Sequence, residues 1–186
     1  MFREQVVFGC HVHVGIEDRE AAIQTMNRVR PWLPVLLALS GNSPYWLGAD
    51  TGYASYRTEV WNRWPMAGMP QAFASRAEYD RLVETLMATG SVREPTKLYW
   101  DVRPSARQET LEFRVAGRAL PAAELVRLFL DRVRPGLEAG GDLEEVTELV
   151  QATVARGTGA ARQRAVFERT GSLEAVVDLV VEATAR

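Results

Sequence analysis

Between Thr110 and Val115 apolar and polar residues alternate one by one, and a period of two is the pattern of a strand with one buried face. Such a strand puts Leu111, Phe113 and Val115 on one side and Thr110, Glu112 and Arg114 on the other, so a carboxylate and a guanidinium stand side by side. Tyr99 to Arg103 alternates in the same way, with Tyr99, Asp101 and Arg103 facing away from Trp100 and Val102. Two strands, each offering an acid and an arginine and joined by a loop with Pro104 and Arg107, line a charged floor. Taken alone, a row of cross-strand ion pairs on a solvated face accounts for this pattern as well as a binding site does.

The opening stretch, Val6 to Gly15, repeats the period with different chemistry. It places His11 and His13 together, with Gly9 and Gly15 on their side and Val6, Phe8, Cys10, Val12 and Val14 on the apolar side. These are the only two histidines of the chain. Glycines in a strand weaken it and clear space for the close approach of a ligand. Paired surface histidines are one reading and a ligand site the other; two metal-spaced histidines do not by themselves specify a metal.

At 186 residues, 47% hydrophobic and 25% charged, the chain is long enough for a single domain with a sizeable core. A formal net charge of -2 provides no electrostatic case for nucleic acid. The single cysteine, Cys10, falls on the apolar side of the first strand, which makes it a packing residue, and no internal disulfide can form. No run reaches the length of a membrane helix and no signal peptide opens the chain, so a soluble, cytoplasmic protein that does not meet a membrane is expected.

Along the chain, Asp18 is a suitable cap for a helix from Arg19 to about Arg30, which Pro31 and Pro34 end before a buried helix through Val35–Leu39. The stretch from Ser40 to Pro70 is rich in turn formers and carries three of the five tryptophans. It is expected to be an ordered pocket wall or lid with Trp46, Trp61 and Trp64 largely buried, and with Arg57 and Arg63 either contacting anions or packing over aromatic faces. Ser75 opens a helix that Gly90 ends. Beyond Ala116 only helical periodicity remains: Pro121 to about Ala139, Asp142 to Arg156, Thr158 to Arg169 and Ser172 to Thr184. The Gly157–Arg164 segment sets glycines and arginines at a helix N-terminus, a weak anion-binding signal. The fold class is therefore α+β: an antiparallel sheet with active-site residues over 1–116, backed by helices, and an all-helical part over 117–186, together a single domain.

Phe8–Gly15, Ala38–Trp46, Thr51–Arg57, Trp100–Pro104, Thr110–Arg114 and Gly157–Arg164, in that order, resemble the YbdK-type carboxylate-amine ligases, the second group of glutamate-cysteine ligases. The resemblance implies a curved antiparallel sheet of the glutamine-synthetase kind. It also implies that ATP, with Mg2+, phosphorylates a glutamate-like carboxylate and that an amine then displaces phosphate to form an amide. By the same resemblance Glu112 is a metal ligand and catalytic residue, Arg114 holds the transferring phosphate, His11 lies beside the metals, and Arg57, Arg103 and His13 belong to the substrate side. The four residues Glu112, Arg114, His11 and His13 are expected on one concave face.

Two departures from the family pattern stand out. Family members carry a longer N-terminal portion bearing further glutamates, and here Ala116 runs directly into Gly117-Arg118-Ala119-Leu120-Pro121, where the family has an aspartate and a further helical stretch. The expectation is a family member lacking its first part and an internal segment, with three readings. One is a ligase chain active when complementing strands come from a partner chain or a homo-oligomer. Another is an inactive remnant that binds or assembles. The third is a metalloprotein using His11, His13 and Glu112 in a facial arrangement.

Overall fold

The computed structural model describes residues 9–114 and 122–185. In chain order they form β1 (Val12–Gly15), α1 (Arg19–Val29), α2 (Leu33–Ser40), β2 (Tyr45–Trp46), β3 (Ala49–Asp50), α3 (Tyr56–Trp61), β4 (Ala67–Gly68), α4 (Arg76–Ala88), β5 (Tyr99–Trp100), β6 (Val102–Pro104) and β7 (Thr110–Phe113). Four helices follow: α5 (Ala122–Gly140), α6 (Leu143–Arg156), α7 (Gly159–Thr170) and α8 (Leu173–Thr184). The fold is mixed α/β, with helices predominating over small sheets. The described residues divide into two units, one of residues 9–33 and 58–114, the other of residues 34–57 and 122–185. Residues 34–57 thus group with the C-terminal helices.

The first unit is built on an antiparallel sheet in the order β1-β7-β6. Helix α1 begins where the Asp18 carboxylate accepts the free N–H groups of Glu20 (2.9 Å) and Ala21 (3.3 Å). It buries Ala22, Ile23 and Met26 and packs across β6 and β7, covering Val102 and Leu111. Pro31 then takes the chain through a 3-10 turn over Arg30–Trp32 into α2. A second layer of the core is aromatic. Phe73, Tyr79 and Trp100 meet pairwise with ring centroids 5.3 to 6.0 Å apart, and burial pushes the Tyr79 phenol up to about 12. Asn27 ties α1 to this layer by treating Phe73 as a strand partner would, donating to its carbonyl (2.6 Å) and accepting its N–H (3.1 Å).

In the second unit α5 pairs with α6 and α7 with α8, over Val126, Val150, Ala160 and Val176. The β2–β3 ribbon is clipped to α7 by Arg164, whose guanidinium donates to both Asp50 oxygens (2.7 and 2.6 Å) and to the Tyr53 carbonyl (3.0 Å). That hydrogen bond and the N–H of Gly52 hold the Asp50 carboxyl down to about 2.

Three expectations change. Val12 and Val14 are 56% and 46% exposed, and Cys10 is exposed and precedes the strand, so the apolar side of the first strand is not a buried face. The cause is position: β1 lies at the sheet edge while α1 covers β6 and β7. The stretch from Ser40 to Pro70 contains a ribbon, a helix and a further strand, and Trp46, Trp61 and Trp64 are half-buried because their rings stack on tyrosines at the surface. Residues 6–8, Val115 and the junction from Ala116 to Pro121 lie outside the described residues.

Candidate active site

Strand register assembles the polar face. His13 lies opposite Glu112 across β1 and β7, and Glu112 lies opposite Arg103 across β7 and β6, so one row runs across all three strands. One step along, the Arg114 N–H donates to the Asp101 carbonyl at 2.7 Å. Because side chains alternate, residues 101, 103, 112 and 114 share this face while Val102 and Leu111 turn into the core. His11, Glu112 and Arg114 come together, His11 from just before β1, and His13 stands beside Glu112 in register.

Glu112 is the hub of the cluster and is almost wholly buried. Its Oε1 accepts from Arg114 NH1 at 2.6 Å and lies 3.0 Å from His11 Nδ1, while its Oε2 accepts from Arg103 Nε at 2.9 Å. Burial works against the carboxylate, but hydrogen bonds from Arg103 and Arg114 and their charges outweigh it, and the carboxyl is held below its ordinary value. Glu112 is therefore an anion held between two guanidinium groups.

The two arginines play different parts. Arg103 is buried, and its NH1 faces the carbonyls of Pro95 (3.2 Å), Thr96 (2.9 Å) and Leu98 (2.5 Å). It locks the 3-10 turn Pro95–Lys97 under the sheet and presents Glu112. With Nε and NH1 committed, Arg103 clamps the carboxylate to the Pro95–Leu98 backbone. Arg114 is equally shielded, and besides Glu112 its NH1 meets His11 Nδ1 (3.4 Å). Its Nε is buried and has no hydrogen-bond partner among the described residues. Its guanidinium carbon lies 5.8 Å from the ring centre of Trp61. A cation this constrained, with a donor still to be satisfied, is suited to receive an anion.

The remaining candidates make contacts of their own. His13 Nδ1 is 2.9 Å from Thr110 Oγ1. Arg57 belongs to the second unit, where its N–H donates to Ser43 Oγ at 3.4 Å, and Arg63 is exposed. The Gly157–Arg164 segment is consumed by packing. Ala160 N–H donates to Gly41 O, Gln163 to Asn42 and Arg164 to Asp50, and Gly159 lies so close under the Asn42 amide that any side chain there would collide with it.

The facial metal reading is not realised: among the described residues no group of three or more His, Cys, Asp or Glu side chains is placed to hold a metal ion. Magnesium requires near-octahedral oxygen ligands and binds imidazole poorly. Both Glu112 oxygens already face cationic donors, so the described residues do not by themselves fit a magnesium ion. What the sequence did not indicate is that Arg114 lies over an aromatic face, with Trp61 as its partner. Alternation locates Arg114 on the sheet, but nothing in the spacing brings α3 to it.

Among the described residues no helix is long and apolar enough to cross a membrane. Comparison with known proteins places this cluster in a lineage. A protein of Frankia alni, provisionally named glutamate–cysteine ligase 2-2, is 39% identical to the chain, and one of Rhodopirellula baltica, provisionally named glutamate–cysteine ligase 2, is 36% identical. Both alignments cover 98% of this chain and 64% of the relative, so the chain spans just under two thirds of their length. A relative from Streptomyces coelicolor with the same provisional name is 37% identical over 97% of the chain and 67% of its own length. The alignments run over 243 to 244 positions for a chain of 186 residues, so the relatives contain stretches with no counterpart here. The family model for glutamate–cysteine ligase family 2 matches residues 1–128, which take in the whole sheet and its charged cluster. The chain belongs to glutamate–cysteine ligase family 2.

Proposed function

We propose that the polar face of the β1-β7-β6 sheet serves an ATP-dependent carboxylate–amine ligase reaction of the glutamate–cysteine type. In it a carboxylate oxygen attacks the terminal phosphorus of ATP, ADP leaves, and an amine then displaces phosphate from the acyl phosphate to form an amide. The single observation that carries this reading is Arg114, a buried guanidinium fixed by Glu112 with its Nε unpaired. Phosphoryl transfer to a carboxylate brings two anions together, and a preorganised cation lowers that cost without reorganising in the transition state. Glu112 aims Arg114, while Arg103 holds Glu112 by hydrogen bonds to carboxylate and backbone. His11, within reach of both, orients the outer edge of the cluster. Arg57 and His13 are kept on the substrate side, as the family resemblance has them.

ATP is the phosphoryl donor in this proposal. The magnesium that accompanies it needs carboxylates beyond those described, and no step here runs through it. In the same reading the sheet is one part of a larger antiparallel sheet of the glutamine-synthetase kind, completed by strands from elsewhere in the protein, a partner chain or a second copy. The test is ADP formation that requires both a glutamate-like acid and an amine, measured with Arg114→Lys alongside. A large loss in that variant supports the reading, and unchanged turnover removes Arg114 from the chemistry. That no group of three or more His, Cys, Asp or Glu side chains is placed for a metal ion among the described residues favours a second reading. Here the chain binds a small carboxylate and transfers no phosphate. Acid binding with no ADP formation under any complementation identifies that case.

A further inference from the structure

The cluster places Arg114 against the face of Trp61, at the C-terminal end of α3, with the guanidinium carbon 5.8 Å from the ring centre. Trp61 is itself held: its ring meets Tyr99 edge-on at 5.0 Å, and Tyr99 also carries Trp64 at 5.8 Å. Tyr99 sits in β5, which pairs with β4 through Gly68 and Trp100, so this aromatic stack is anchored in a sheet. Glu112 and, more distantly, His11 hold one end of the guanidinium at a single nitrogen, and contacts at one nitrogen restrict the tilt of the plane less than a bidentate pair does. An aromatic ring under the plane restricts that tilt further, because the cation is attracted to the π face and a tilted guanidinium would lose contact. The unpaired Nε edge then keeps one heading. An arginine binds a phosphate or carboxylate best through two parallel N–H groups, a geometry that depends on the orientation of that plane.

We infer that Trp61 is a positioning residue for Arg114, setting the plane of its guanidinium so that the Nε edge is presented to the anion. The inference rests on the reading of Arg114 as the anion-holding group, but concerns a residue that touches neither substrate nor phosphate. Trp61 acts through Arg114, and its ring face, not its bulk, is what matters.

The test uses the full chain with Trp61→Leu, which removes the ring, and Trp61→Phe, which keeps one. Two readouts separate the two claims. The first needs no ligand: the Nε–H resonance of Arg114 in a nitrogen-edited NMR spectrum carries a ring-current shift, and its solvent exchange reports how firmly the plane is held. In Trp61→Leu the shift should collapse and exchange should quicken, while Trp61→Phe should retain most of both. The second readout titrates inorganic phosphate against the same resonance. A cation–π contact of this kind corresponds to an affinity about two- to fivefold weaker in Trp61→Leu and near the parent in Trp61→Phe. If Trp61→Leu does not fold, Trp61→Met, which keeps volume without a π face, takes its place. An Arg114 resonance with parent shift and exchange in the ring-less variant overturns the positioning role. If the parent protein shows the ring-current shift but phosphate never perturbs Arg114, the positioning stands and the anion role of Arg114 falls instead.

Discussion

Replacing Arg103 with methionine should cost stability through Glu112 more than through Arg103 itself. Methionine keeps most of the length of the side chain and loses all its donors. Three backbone carbonyls, those of Pro95, Thr96 and Leu98, then lose a shared donor, and Glu112 Oε2 loses its 2.9 Å partner at a site nearly closed to water. NH1 carries only two hydrogens, so its three carbonyl contacts are shared bonds and do not count as three. Breaking a buried ion pair by removing one partner costs about 3–5 kcal/mol. Arg114 still compensates Glu112 through Oε1, which puts the expected loss near the lower end, about 3 kcal/mol.

With an m-value of about 1.5 kcal/mol/M in urea, the unfolding midpoint should fall by about 2 M. Tryptophan fluorescence is the suitable probe, since Trp32, Trp61, Trp64 and Trp100 all lie in the first unit and only Trp46 in the second. The decisive step is the double variant Arg103→Met with Glu112→Gln. Neutralising the stranded carboxylate should return about 1–3 kcal/mol relative to the sum of the single losses. Additive losses would refute the argument and mean that water already solvates Glu112.

Three further outcomes follow from the same geometry. In a complemented or intact enzyme, Glu112→Gln should lower turnover about a hundredfold or more, because the amide no longer holds Arg114 as a paired cation; steady-state ADP release decides, and parent-like turnover leaves only a structural ion-pair face. The Asp50 carboxyl should titrate at about 2 by NMR, against the ordinary 3.8, and Arg164→Met should bring it back toward that value. Since the folded value is the lower one, the clip stabilises fully above pH 3.8 and its contribution is lost as pH falls toward 2. The isolated chain should bind Mg2+ only weakly, in the millimolar range, because the described site offers a carboxylate already engaged by two arginines. Calorimetric titration showing micromolar magnesium or magnesium-ATP binding would contradict that donor count.

Alternation between Thr110 and Phe113 and between Tyr99 and Arg103 was enough to place Glu112, Arg114 and Arg103 on one face, because a period of two permits no other arrangement once Leu111 and Val102 are buried. The meeting of His11 with Glu112 was legible only through the family resemblance, since alternation does not say that β1 pairs with β7. The division of labour between the arginines was not. Whether Arg103 meets a substrate or the Pro95–Leu98 carbonyls depends on where a 3-10 turn passes under the sheet, and strand periodicity carries no information about that turn. Val12 and Val14 misled because alternation distinguishes two sides of a strand without saying which is covered, and at an edge strand neither need be. Trp61 was visible only as an aromatic in a long loop, since its contact with Arg114 spans more than fifty residues of chain and has no local signature.

The position of β1 also determines how the cluster comes apart. Among the described residues this four-residue strand is hydrogen-bonded to β7 alone, and all four of its residues are exposed. Opening it breaks one short ladder and uncovers almost no core, whereas opening β6 or β7 exposes Val102 and Leu111. Local unfolding begins where few contacts must be given up. Within this sheet His13 is therefore carried, with His11 just before it, by the strand that gives up the fewest contacts on opening, while Glu112 and Arg103 sit on the strands that hold the core. The amides of β1 should exchange with solvent well ahead of those of β7, so that opening this strand would take the histidines off the cluster while β6 and β7 stay paired.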